Sequence, residues 1–154
     1  MPVYHSSFNA VTDAPQLGNL ALLPLNYFLV SRQLLFRNFE IQGPADRVLI
    51  YLILFISECL SKLTVKSSRD EATRALTTLA LSQFSIPGEP GFPLNALYAA
   101  PASRVDADNM RTYMTQLRQE VVSRLLEKLY AEDASKPSKW WMAFAKRKFM
   151  NKSL

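Results

Sequence analysis

The chain has 154 residues, 49% of them hydrophobic and 20% charged, with 18 Lys+Arg against 13 Asp+Glu. That length suits a single domain with a real core, and so little charge suits a surface partly covered by other proteins. The lone cysteine, Cys59, excludes an internal disulfide and a cysteine metal cluster, and the longest apolar run, Val48 to Ile56, is about half of the ~20 residues that a membrane span needs.

The expected arm, residues 1–26, is polar and then apolar, broken by Pro2, Pro15, Gly18 and Pro24, and reads as irregular. The first basic residue is Arg32, so the start has no basic region of a secretory leader and no arginines of a transit peptide. Residues 27–39 are apolar with Arg32 and Arg37, a pattern moderately suited to a helix. Gly43-Pro44 then opens the strongest predicted helix, from Ala45 to Lys66. Proline is pre-set for a first helical position, Asp46 suits the positive end, and Lys62 and Lys66 suit the other. Val48 to Ile56 is apolar on every side of the wheel, so neighbours should surround this helix. Its β-branched and aromatic residues also permit a buried strand, but length and capping favour helix.

Ser68-Arg69-Asp70-Glu71 has the form of a capping box, with Ala72, Leu76, Leu79 and Ala80 following at helical spacing as far as Phe84. Residues 86–93 hold three prolines and two glycines and form stiff successive turns. Phe92 and Leu94 are expected to anchor that loop. Ser103 to Asp106 repeats the cap pattern and starts a long helix to Tyr130. Met110, Met114, Leu117, Val121, Leu125 and Leu129 line one face, while Arg118, Glu120, Arg124, Glu127 and Lys128 lie mostly elsewhere. Lys136-Pro137-Ser138 breaks the chain, and Ser138 is placed to cap a last helix over 139–150. The expected architecture is all-α: a single compact bundle of four to five helices around one central buried helix.

The last stretch carries the clearest functional signal. Lys136, Lys139, Lys146, Arg147, Lys148 and Lys152 face no acid in residues 136–154. Without those six, the other 12 Lys+Arg fall one short of the 13 Asp+Glu. A near-neutral body with a cationic, aromatic end points to a partner rather than to catalysis. At 100° per residue, Trp140, Phe144, Trp141, Ala145, Phe149 and Met142 span about half the wheel. Lys148 falls inside that span, and Lys146 and Arg147 take the other side. Two main readings stay open beside that of a nucleic-acid or membrane-surface helix. Both tryptophans pack into the domain's own core and Lys148 snorkels, or one side packs inward and the other docks on an acidic-rimmed partner. Burying one Trp removes about 200 Å², at most about 5 kcal/mol at ~25 cal/mol per Å². An exposed charge pair gives ~0–1 kcal/mol, so aromatics dominate and charges steer.

No catalytic set assembles. His5 sits beside Ser6 and Ser7 without a local carboxylate, Asp106 and Asp108 suit a helix start, and Cys59 reads as a small buried hydrophobe. The turns at 87–91 lack the Gly-Lys-Ser/Thr of a phosphate loop, and Glu89 would repel phosphate. A rival reading of the tail is a free-standing nucleic-acid binder, with Lys146, Arg147 and Lys148 on phosphates and the tryptophans stacking on bases. The neutral body and the lack of a recognised module weigh against it.

Several segments together resemble subunit 3 of the actin-related protein 2/3 complex. They are Tyr4-His5-Ser6-Ser7-Phe8, Gly18-Asn19 through Leu22-Leu23-Pro24, and Ala45-Asp46-Arg47 through Leu49-Ile50-Tyr51. The proline-rich Ile86-Pro87-Gly88-Glu89-Pro90-Gly91-Phe92-Pro93-Leu94-Asn95 joins them. So does Lys136-Pro137-Ser138-Lys139-Trp140-Trp141, with Lys146-Arg147 and Phe149-Met150-Asn151-Lys152. The similarity covers nearly the whole chain. It implies an all-α, non-enzymatic subunit without cofactor, in a seven-subunit assembly that nucleates branched actin filaments in the cytoplasm. It implies packing on actin-related protein 3, contact with the mother filament, and neither nucleic acid nor membrane insertion. The expected partner-binding residues are Lys139, Trp140, Trp141, Phe144, Lys146, Arg147, Lys148 and Phe149, with Glu89 and Phe92 from the loop. Family members carry a longer stretch after Leu22-Leu23-Pro24-Leu25, where here Asn26 runs directly into Tyr27-Phe28.

Overall fold

A helix that is apolar on all sides must be covered on all sides, and the fold meets that demand. The computed structural model describes residues 15–22 and 43–145. The segment 27–39, the rest of the arm, and Lys146, Arg147, Lys148 and Phe149 lie outside the described residues. Helix α1 spans Pro44–Ser61, α2 Arg69–Leu81, α3 Arg104–Leu129 and α4 Lys139–Met142. The described chain is thus mostly helical, as expected. It also contains what an all-α reading leaves out, a short antiparallel hairpin of β1 Gln16–Leu17 and β2 Leu20–Ala21.

That hairpin corrects the expectation of an irregular arm. Gly18 takes a left-handed φ of 60° at its turn, and a Cβ there would come 2.7 Å from the Ala99 carbonyl oxygen, so only glycine fits. Gln16 pairs with Ala21 and Leu17 with Leu20. Leu20 and Ala21 are buried, with β2 against α1. Asn19 locks the turn to the chain beyond the proline loop: its side chain donates to Leu97 O at 3.3 Å and accepts from Ala99 N–H at 2.7 Å.

In α1 the Asp46 carboxylate accepts the Gly43 N–H at 3.2 Å, satisfying a donor at the positive end of the helix. Of residues 48–56, all are buried except Leu49, which is half-buried. The helix stops at Ser61, short of the expected Lys66. Hydroxyls compete with the backbone there. Ser61 Oγ donates to Glu58 O at 2.6 Å, and Ser67 Oγ takes the Thr64 N–H at 3.0 Å to close a turn. Ser68 forms the predicted box with Glu71, with bonds of 3.4 and 3.0 Å. Helix α2 ends at Leu81 rather than Phe84 because Ser82 is extended and its hydroxyl bonds back to Leu79 O at 2.7 Å.

Helix α3 packs on both α1 and α2, with Ser103 Oγ accepting the Asp106 N–H at 3.1 Å. All six predicted face residues are buried. Arg118 is buried with them, only 2% exposed, against the expectation that it lies off that face. Its guanidinium sits 4.5 Å from the Phe55 ring centroid and 4.4 Å from that of Phe84. It donates to Tyr51 Oη at 3.2 Å and to Leu79 O at 2.7 Å. A planar, weakly hydrated cation between two rings offsets much of its desolvation. We expect Arg118→Lys, which keeps the charge but loses the fork, to cost about 2 kcal/mol. A urea midpoint unchanged from wild type would show that the sandwich holds nothing together.

Candidate partner-binding site

The tail begins where α3 ends. Ser138 N–H bonds to Leu129 O at 2.8 Å, and Pro137 is buried beside it. Ser138 occupies the N-cap position, but contrary to expectation its side chain makes no capping bond. The segment is therefore set by its attachment to α3 and by its aromatics. One helical turn follows, with Met142 N–H on Ser138 O and Ala143 N–H on Lys139 O, both at 3.1 Å. It then tightens to three-residue bonds through Ala145.

This turn separates the two tryptophans. Trp141 is 5% exposed and belongs to the core. Trp140 is half-buried, edge-on to Trp141 at 5.2 Å and tilted against Phe144 at 4.8 Å. Lys139 is exposed next to them. One tryptophan is thus turned inward, while Trp140, Phe144 and Lys139 reach the surface. The expected contact residues Lys146, Arg147, Lys148 and Phe149 lie just beyond the described residues.

The loop residues stand differently. The Phe92 ring is buried, stacked with Tyr51 at 6.2 Å and edge-on to Tyr98 at 5.1 Å. Leu94 is buried as well, so both anchors seat as expected. Glu89 accepts the Ile86 N–H at 3.0 Å and forms an ion pair with Arg111. Arg111 also donates to Phe84 O at 2.7 Å. Asn95 closes the loop, accepting the Gly88 N–H at 2.8 Å and donating to Glu89 O at 2.6 Å. Gly88 has a φ of 94°, and a Cβ there would lie 2.8 Å from Ala100 Cβ. The loop is rigid because its polar groups bind each other.

Sequence reasoning missed Arg47, Asn19 and Arg118. Arg47 Nε donates to Leu97 O at 2.8 Å and Nη1 to Asn19 O at 3.4 Å, while the Tyr98 hydroxyl donates to Arg47 O. This joint fixes the hairpin, α1 and the chain at 97–99 to one another. Arg118 was findable: it lies four residues after Met114 and three before Val121, on the apolar stripe itself. No such periodicity marks Asn19.

Among the described residues no group of three or more His, Cys, Asp or Glu could hold a metal ion. None of the described helices is long and apolar enough to cross a membrane. Burial, and then the nearby Glu58, push the Cys59 thiol well above its usual range. The folded thiol stays neutral where the unfolded one ionises. Its contribution to stability is therefore full below the unfolded pKa and falls as pH rises beyond it. Cys59 should remain unalkylated by iodoacetamide at pH 8 in the native chain and react once urea unfolds it; rapid native labelling would refute its burial.

The chain is matched over residues 27–154 by the family model described as "P21-Arc: ARP2/3 complex ARPC3 (21 kDa) subunit". Actin-related protein 2/3 complex subunit 3 of Schizosaccharomyces pombe is 52% identical over 175 aligned positions, taking in all of both chains. The subunit of the same name from Saccharomyces cerevisiae is 46% identical over 178, again with both chains covered in full. That of Dictyostelium discoideum is 45% identical over 174, with 99% of each chain covered. Each alignment is longer than the 154 residues here, so these relatives carry residues that this chain lacks. The family match opens at Tyr27, the junction at which the sequence reads as shortened.

Proposed function

We propose that this chain, which belongs to the actin-related protein 2/3 complex subunit 3 family, supports the nucleation of branched actin filaments as a structural subunit of that complex. By family it is a complex subunit and not an enzyme. The rival reading of a free-standing nucleic-acid binder finds no support in the matches. The 154 residues act as one domain, a helical bundle closed around α1, at the actin cytoskeleton in the cytoplasm. Within the complex the subunit packs on actin-related protein 3 and contacts the mother filament.

The observation that carries the docking role is the split of the tail. Trp141 is held in the core while Trp140 and Phe144 stay half-exposed beside Lys139. An aromatic pair anchored by its own domain loses little freedom on binding, and such residues dominate interface energetics. The basic run at Lys146, Arg147 and Lys148 forms the rim, where charge acts on encounter and selection. Glu89 and Phe92 contribute by stiffening the loop.

Trp140→Ala is expected to weaken incorporation into the complex by about 30-fold, the size of a hot-spot truncation of ~2 kcal/mol. The thermal midpoint of the free chain should move little. Wild-type recovery in co-purification would remove Trp140 from the interface. Reversing the rim with Lys146→Glu and Arg147→Glu should spare assembly and lower the branching rate most at low salt. Branching that is unchanged across a salt series would end the rim's role in filament contact.

A further inference from the structure

Arg118 is 2% exposed and permanently charged, and its partners do not satisfy it. Two rings cover its faces, and Tyr51 and Leu79 take two of its five N–H groups. The Nε–H is buried and has no acceptor among the described residues. No carboxylate among the described residues forms an ion pair with it either. An orphan donor on an unpaired buried cation requires an acceptor from elsewhere.

The register of α1 brings a carboxylate close. Tyr51, Phe55 and Glu58 stand at i, i+4 and i+7, on one stripe of that helix. Arg118 of α3 bonds to the first and lies against the ring of the second. Glu58 follows on the same stripe, half-buried, about 4.5 Å of helix rise beyond Phe55. Tyr51 feels both charges: burial pushes its hydroxyl above the ordinary range, Arg118 lowers it and Glu58 raises it. Tyr51, Glu58 and Arg118 also bound a single opening of about 210 Å³. One water needs roughly 10–15 Å³, so the opening has room for several.

We propose that this opening holds ordered water, one molecule of which accepts the Arg118 Nε–H and donates to the Glu58 carboxylate, so that Glu58 is the counter-ion of Arg118 at one remove. Charge decides between water and an anion. With Glu58 on the same opening the site has no net charge, and an anion attracted by Arg118 is repelled by Glu58. Water meets both groups, accepting from Arg118 or from the Tyr51 O–H and donating to Glu58. Two bonds of about 3 Å through one oxygen reach further than a direct ion pair, which suits two charges that the helices bring near without contact. The link ties α1 to α3 towards the end of α1, away from the Arg47 joint at its start. It needs no partner subunit and stands apart from the docking role above.

Density for this chain within its complex, at a resolution that shows water, tests the site. A water peak within about 3.2 Å of both Arg118 Nε and a Glu58 oxygen is expected. An empty opening, a protein group seated on Nε, or an anion revealed there by anomalous scattering after bromide exchange would each overturn the proposal. In the full chain, Glu58→Gln keeps the shape and removes the charge, and should raise the unfolding equilibrium constant about ten-fold, the size of one charge-assisted hydrogen bond. With Arg118→Met the same change at Glu58 should have an effect of about two-fold or less. An unchanged urea midpoint for Glu58→Gln, or an equal loss in both backgrounds, would remove Glu58 as the counter-ion. If Arg118→Met does not fold, the density and the Glu58→Gln midpoint decide without it.

Discussion

Everything in this fold answers to the all-round apolarity of α1. A stretch with no polar side between Val48 and Ile56 cannot rest on one partner, since any face left open would expose large hydrophobic area. The hairpin takes one face and α3 another, while the Phe92 ring, edge-on to Tyr98, stacks on Tyr51. Those covers lie far apart in sequence and need a joint. Arg47 supplies it at the start of the helix: its side chain and its carbonyl hold Asn19, Leu97 and Tyr98.

The helices were legible because they obey local rules. The Ser68–Glu71 box and the Ser103 cap sit where the pattern puts them, and the α3 stripe is buried residue for residue. What was not legible depends on partners distant in sequence. The hairpin needs Gly18 to fit under Ala99, a clash that no window around Gly18 reveals. The ends of α1 and α2 are set by Ser and Thr hydroxyls that take backbone bonds, a competition too weak to read from composition. Arg118 defeats the rule that charge faces water, because two aromatic rings and two acceptors wait for it.

The tail divides its work by residue. Trp141 joins the core, worth at most about 5 kcal/mol to the fold by area, while Trp140 and Phe144 pack half-buried against it. The wheel reading left two alternatives, and the structure turns Trp141 inward with its neighbour at the rim. Which tryptophan goes inside was not in the sequence: both lie in one apolar arc, and the choice follows from the Ser138–Leu129 bond that sets where the turn starts. The six basic residues within 136–154 leave a near-neutral body with its positive charge concentrated at one end of the sequence.

Membership in a functioning assembly is tested most directly by recovery from cells. Tagged chain should be recovered from cytosolic extract at moderate salt, and the stoichiometric species sized and identified by mass spectrometry. One large species that contains two actin-related proteins and a single copy of this chain is expected. Recovery of the chain alone, or of material that nuclease disperses, would contradict it.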